Sequence, residues 1–117
     1  FTITPYSAEH DTPNPVHYKI ETKDLNEQCL AENDGICEIY DKKIILRQKE
    51  FMAGNTNKTQ KERYDHVLRH ELVHAIAQEC GVAYGDDEEL VDWIAHIIPI
   101  VNKAEKKLKK SMKIGSR

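Results

Sequence analysis

Two imidazoles and a carboxylate are fixed one helical turn apart in the run His70-Glu71-Leu72-Val73-His74. On an α-helix, positions i and i+4 share a face. Both imidazoles can therefore reach one Zn²⁺, while Glu71 leans toward the metal's open position, where a coordinated water would have a carboxylate to take its proton. The pattern predicts zinc hydrolase chemistry, with His70 and His74 as metal ligands and Glu71 as general base.

A catalytic zinc uses three protein ligands and leaves the fourth position to water, so a ligand must come from elsewhere. Glu88 fits, with Asp92 one turn beyond it. That spacing lets Glu88 bind metal while Asp92 accepts a hydrogen bond from the second nitrogen of a ligating histidine and fixes its tautomer. Glu89 is the alternative, but it lies about 100° round the helix and has Trp93 rather than a carboxylate at i+4. Peptide hydrolysis also profits from a donor to the oxyanion. Tyr84, His96 and Tyr64 are the candidates nearest in sequence, and spacing does not choose among them.

These residues need two helices and something to pack them on. Thr59-Gln60-Lys61-Glu62 has the form of a capping box, and Val67, Leu68, Leu72, Ala75, Ile76 and Cys80 continue from it as a stripe at helical spacing. Gly81 is placed to end that helix in a left-handed cap. Asp86 or Asp87 can cap the next one, which Pro99 should kink or interrupt. Trp93 reads as core packing, with Val91, Ile94 and Ile98 around it. Ahead of the helices, Val16 to Thr22 alternates apolar and polar residues as a half-buried strand does. Gly35 to Tyr40 and Ile44 to Arg47 read as a β-hairpin, and Asp24 to Ala31 as a short helix. Residues 1–15, with three prolines and no hydrophobic period, read as an irregular arm. The expected fold is α+β: a small antiparallel sheet of about three strands packed on the motif helix, followed by the helix that carries Glu88 and Asp92.

HELVH followed by Glu88-Glu89-Leu90-Val91-Asp92-Trp93-Ile94-Ala95 resembles the gluzincin class of zinc metallopeptidases, in which HExxH on one helix is completed by ExxxD on the next. Within that class the chain is most similar to small phage and bacterial proteins of the ImmA/IrrE type and to the minigluzincins. Glu88, Asp92, Ile94 and Ala95 stand where that group has its ligand-helix signature. The resemblance spans roughly residues 16 to 100. It implies a zincin-like domain over 16–102, zinc held by His70, His74 and Glu88, Glu71 as base, Asp92 as the orienting residue, and a protein or peptide substrate in a phage or bacterial setting.

Composition sets the outer bounds. The chain has 117 residues, enough for one domain, with 32% charged and 39% hydrophobic residues and no run long enough to span a membrane. Net charge is −3, yet residues 103–117 carry seven cations against Glu105 alone. That stretch reads as a basic tail, the only part suited to nucleic acid, and as a solvated terminus before that. Three cysteines, Cys29, Cys37 and Cys80, without a CxxC pair argue against a disulfide framework and fit a reducing cytoplasm. His10, His17 and His66 read as surface residues. The expectation from another class is a noncatalytic zinc-binding interaction module that keeps the fold for contacts with other proteins.

Overall fold

A computed structural model describes residues 1–4, 15–23, 33–83 and 85–115. The order of elements is β1 (Thr2–Ile3), β2 (Val16–His17), β3 (Lys19–Lys23), β4 (Gly35–Glu38), β5 (Lys43–Arg47), a short 3₁₀ turn (Lys49–Phe51), α1 (Asn57–Glu79) and α2 (Glu88–Gly115). The architecture is α+β. No helix among the described residues is long and apolar enough to cross a membrane. The short helix expected over 24–31 lies outside the described residues.

The three-stranded sheet is mixed rather than antiparallel, in the order β3-β5-β4. β4 and β5 form the expected hairpin, with Ile36 opposite Ile45 and Cys37 opposite Ile44. β3, however, runs parallel to β5, pairing Ile20 with Ile44 and Thr22 with Leu46. The reason lies in composition. Ile44-Ile45-Leu46 is the one continuous apolar run among the strands and is buried on both faces, so it takes the central place. With β4 already folded back on one edge, the chain leaving β3 must cross over before the hairpin, which makes the β3–β5 pair parallel.

The first residues are not wholly irregular. Thr2–Ile3 pairs with Val16–His17 in a two-stranded ribbon, and the Phe1 amino group donates to the Tyr18 carbonyl at 3.0 Å. Ile3 and Tyr18 then join Ile44, Leu46 and Ala75 in the core, with Val67, Leu68 and Leu72 packed against them. Thus Val67, Leu68, Leu72 and Ala75 of the stripe read from the sequence form the face α1 turns to the sheet, whereas Ile76, 45% exposed, and Cys80 stand outside it. Gly35 marks the closest approach: a Cβ there would stand 2.7 Å from Val67 Cγ1 and 3.2 Å from Glu71 Cγ. Only glycine lets β4 run this near to the helix.

Helix boundaries follow from local chemistry. α1 begins earlier than the sequence suggested, because Thr56 and Thr59 form the capping box: Thr59 N donates to Thr56 Oγ1 at 3.1 Å and Thr56 N to Thr59 Oγ1 at 3.1 Å. Its end matches the expectation for Gly81, at φ 69°, with Val82 N donating to Ala77 O and Gly81 N to Gln78 O in a Schellman arrangement. α2 opens at Asp87, whose Oδ1 accepts from Leu90 N at 3.1 Å.

Pro99 does not interrupt α2, which continues to Gly115. A proline in a helix interior leaves the carbonyl four residues earlier without its N–H partner. Here that carbonyl belongs to fully buried Ala95, and Arg69 Nε of α1 donates to it at 3.2 Å. The basic stretch from 103 thus continues α2 as helix to Gly115. At the other end of α1, Glu79 accepts from Tyr18 Oη at 2.8 Å and from Lys42 Nζ at 2.5 Å, tying the helix terminus to the hairpin turn. Lys42 holds the Glu79 carboxyl below its usual range, against a smaller opposing effect of burial.

Two expectations follow. Arg69→Met, which keeps the side-chain length but strands the buried Ala95 carbonyl, should lower unfolding free energy by about 1–3 kcal/mol in urea titration. A carboxyl depressed in the folded state stabilises it above the unfolded value and loses that contribution as pH falls through the folded one. Glu79→Gln should thus be less stable than wild type at neutral pH, with the difference closing below about pH 4.

Candidate metal centre

α1 serves two purposes by presenting two faces. Residues 67, 68, 72 and 75 meet the sheet, while His66, His70 and His74, each one turn from the next, line a cleft of about 1140 Å³ with Glu71, Glu88 and Asp92. The eight-residue connection to α2, tightened by the Gly81 cap, lays the start of the second helix across this histidine face. Gly85 passes so close to α1 that a Cβ on it would sit 3.0 Å from Ala77 Cβ.

The ligand atoms predicted from sequence come together. One atom each from His70, His74 and Glu88 lie within 4.8 Å of one another, a grouping that could hold a metal ion. Glu88 uses both oxygens: Oε2 is 2.9 Å from His70 Nε2 and Oε1 is 2.9 Å from His74 Nε2. A tetrahedral ion with bonds of about 2.0 Å has ligand atoms about 3.3 Å apart, within a few tenths of an ångström of these contacts. Glu89, the alternative, is exposed and joins no such group among the described residues.

The outer nitrogens are committed. His74 Nδ1 lies 2.7 Å from the Gly85 carbonyl and His70 Nδ1 lies 3.1 Å from Asp92 Oδ1. Both partners are acceptors only, so each Nδ1 must carry the hydrogen and donate it. A neutral imidazole has one N–H, which leaves a bare lone pair on each Nε2. Were both rings neutral, two lone pairs would face the Glu88 carboxylate at 2.9 Å. Acceptors do not approach acceptors at that distance unless a cation, a proton or a metal ion, lies between them.

Electrostatics respond accordingly. Burial alone would lower the His70 pKa, but its hydrogen bonds to Asp92 and Glu88 and the nearby charge of Glu71 outweigh that and raise it. Glu71, 7% exposed between α1 and β4, is pushed upward mainly by burial, against the pull of His70 and His74. Asp92 is held low by its hydrogen bond from His66 and, less strongly, by that from His70. Cys37, half-buried on β4 near Glu71, is pushed up to about 12, chiefly by burial, and is therefore a thiol.

Sequence reasoning missed His66. It lines the cleft, and its Nε2 donates to the same Asp92 oxygen as His70, at 2.8 Å. The signal was available, since His66 stands four residues before His70 just as His70 does before His74. Of the candidate oxyanion donors, Tyr64 is packed against the core, away from that role. His96 is exposed with its ring 6.5 Å from that of His66, and Tyr84 lies outside the described residues. Trp93, expected in the core, is 58% exposed; Val91 and Ala95 take the positions against α1. The chain matches no family model, no curated protein and no solved structure.

Proposed function

We propose that this protein is a zinc-dependent peptidase of gluzincin type, acting on a protein or peptide substrate. The observation that carries the reading is the convergence of two imidazole Nε2 atoms on one carboxylate, with both Nδ1 atoms held by fixed acceptors. Nitrogen and oxygen donors in this number suit zinc and leave a position open. His70, His74 and Glu88 would hold the ion, which when bound supplies Lewis acidity to water and to the scissile carbonyl.

The chain's own residues supply the rest. Glu71 accepts the proton of the attacking water and returns it to the leaving amine; its raised pKa makes it a better base than an exposed carboxylate. Gly35 and Val67 wall it from bulk water on the β4 side. Asp92 and the Gly85 carbonyl orient the two imidazoles, so that the ligand nitrogens present lone pairs in advance. The cleft is open and is lined by Ile36 and Cys37 of the hairpin as well as by Asp86.

Elemental analysis of protein purified with zinc should give one ion per chain, reduced in His70→Ala and in Glu88→Ala and retained in Glu71→Gln. On a diverse peptide library, Glu71→Gln should lose at least about a thousandfold of wild-type turnover. Zinc with no turnover of any peptide in the wild type would replace the peptidase with a noncatalytic zinc-binding module, and absence of zinc would remove both. Protons compete with metal for each Nε2. Because the site raises the His70 pKa, zinc affinity measured by competition with a chelating dye should begin to fall above the ordinary imidazole value of 6.5 and decline further as pH drops.

A further inference from the structure

The shape of the molecule singles out α2. A compact chain of this length has a radius of gyration of about 13 Å, whereas this one has 16.9 Å and a longest extent of 57 Å. Only the first part of α2 is covered, by α1, through Val91 and Ala95. Along its other side the helix carries an apolar seam that the described residues leave largely open: Trp93, Val101, Ala104, Leu108 and Met112 are exposed and Ile97 is half-buried. At about 100° per residue these six fall within about 100° of arc, and the lysines from 103 to 113 fall outside it. Trp93, Leu108 and Met112 are 58, 60 and 61% exposed.

Three properties of the seam identify its occupant. First, its spacing reads the same in both directions, with steps of four, four, three, four and four residues. A second copy laid antiparallel thus sets Trp93 against Met112, Ile97 against Leu108 and Val101 against Ala104, every layer filled. Second, the helix is polar in charge along its length, with Glu88, Glu89 and Asp92 at its beginning and Lys109, Lys110 and Lys113 near its end. Antiparallel pairing brings each basic end toward the partner's acidic beginning, while parallel pairing stacks like charges. Third, after Val101 the seam has a single apolar residue per turn, the width of a coiled-coil contact. A lipid surface rewards a broader apolar face, and the acids beside Trp93 would repel anionic headgroups.

From these we propose that a second copy of this chain covers the seam, forming a two-fold dimer through antiparallel α2 helices with the two metal-site bodies at opposite ends. The contact is about 28 Å long at about 1.5 Å per residue, and it leaves the cleft of each copy open.

Sedimentation velocity of the full chain, over about a hundredfold range of concentration, should resolve a monomer–dimer equilibrium. Leu108→Asp, at a position too exposed to be needed for folding, should raise the dissociation constant at least about a hundredfold, while Lys106→Glu on the opposite face should leave a dimer. Small-angle scattering of the dimer should give a two-lobed distance distribution reaching well beyond the 57 Å of one chain. A monomer at every concentration, a dimer indifferent to Leu108→Asp, a single-lobed dimer with adjacent bodies, or a monomer that binds phosphatidylserine vesicles would each overturn the proposal.

Discussion

The seating of α1 against β4 and β5 is the constraint on which the other features depend. One helix forms the wall of the core with Val67, Leu72 and Ala75 and, turned through a fraction of a revolution, the floor of the cleft with its three histidines. A rotation of α1 that improved one face would spoil the other. Gly35 removes the slack, because β4 touches the helix beside Glu71 and leaves no room for it to roll. The interior packing energy of a small core, a few kcal/mol for each large side chain, is thereby lent to the orientation of the polar groups in the cleft.

Fixed imidazoles are what separate this cluster from an ordinary surface ion-pair network. Exposed histidines and carboxylates pair readily, with flexible side chains that relax when a charge is lost. Here relaxation is limited on the imidazole side: His70 and His74 are largely covered, each held at its outer nitrogen by Asp92 or by a backbone carbonyl. Glu88 is far more exposed. The arrangement is a pair of fixed imidazoles on α1 facing an exposed carboxylate on α2.

Much of the candidate site was legible in the chain because it is local. HELVH, Glu88 and Asp92 lie on adjacent helices joined by a short connection, and helical periodicity predicts which residues share a face; the Gly81 cap and the β4–β5 hairpin were legible for the same reason. What sequence missed depended on contacts between distant segments. The parallel pairing of β3 with β5 was decided by competition for the central place in the sheet, which only the Ile44-Ile45-Leu46 run could fill on both faces. Trp93 had the neighbours of a core residue along its own helix, but Val91 and Ala95 are the residues buried there and Trp93 stands 58% exposed on another side. His66 was legible in spacing and was passed over because its partner, Asp92, becomes a neighbour only when the helices pack.

The carbonyl freed by Pro99 has a consequence for how the two helices find their alignment. Along a regular helix every backbone carbonyl is already engaged, so an arginine from a neighbour sees a uniform surface and can slip by a turn at little cost. Pro99 makes one position different, and Arg69 fits only there. A slip of one turn would leave the Ala95 carbonyl stranded and set Arg69 against an occupied one, while carrying Glu88 past the histidines. The defect thus works as an index mark: it converts a smooth sliding contact into a single register, the one in which His70, His74 and Glu88 meet.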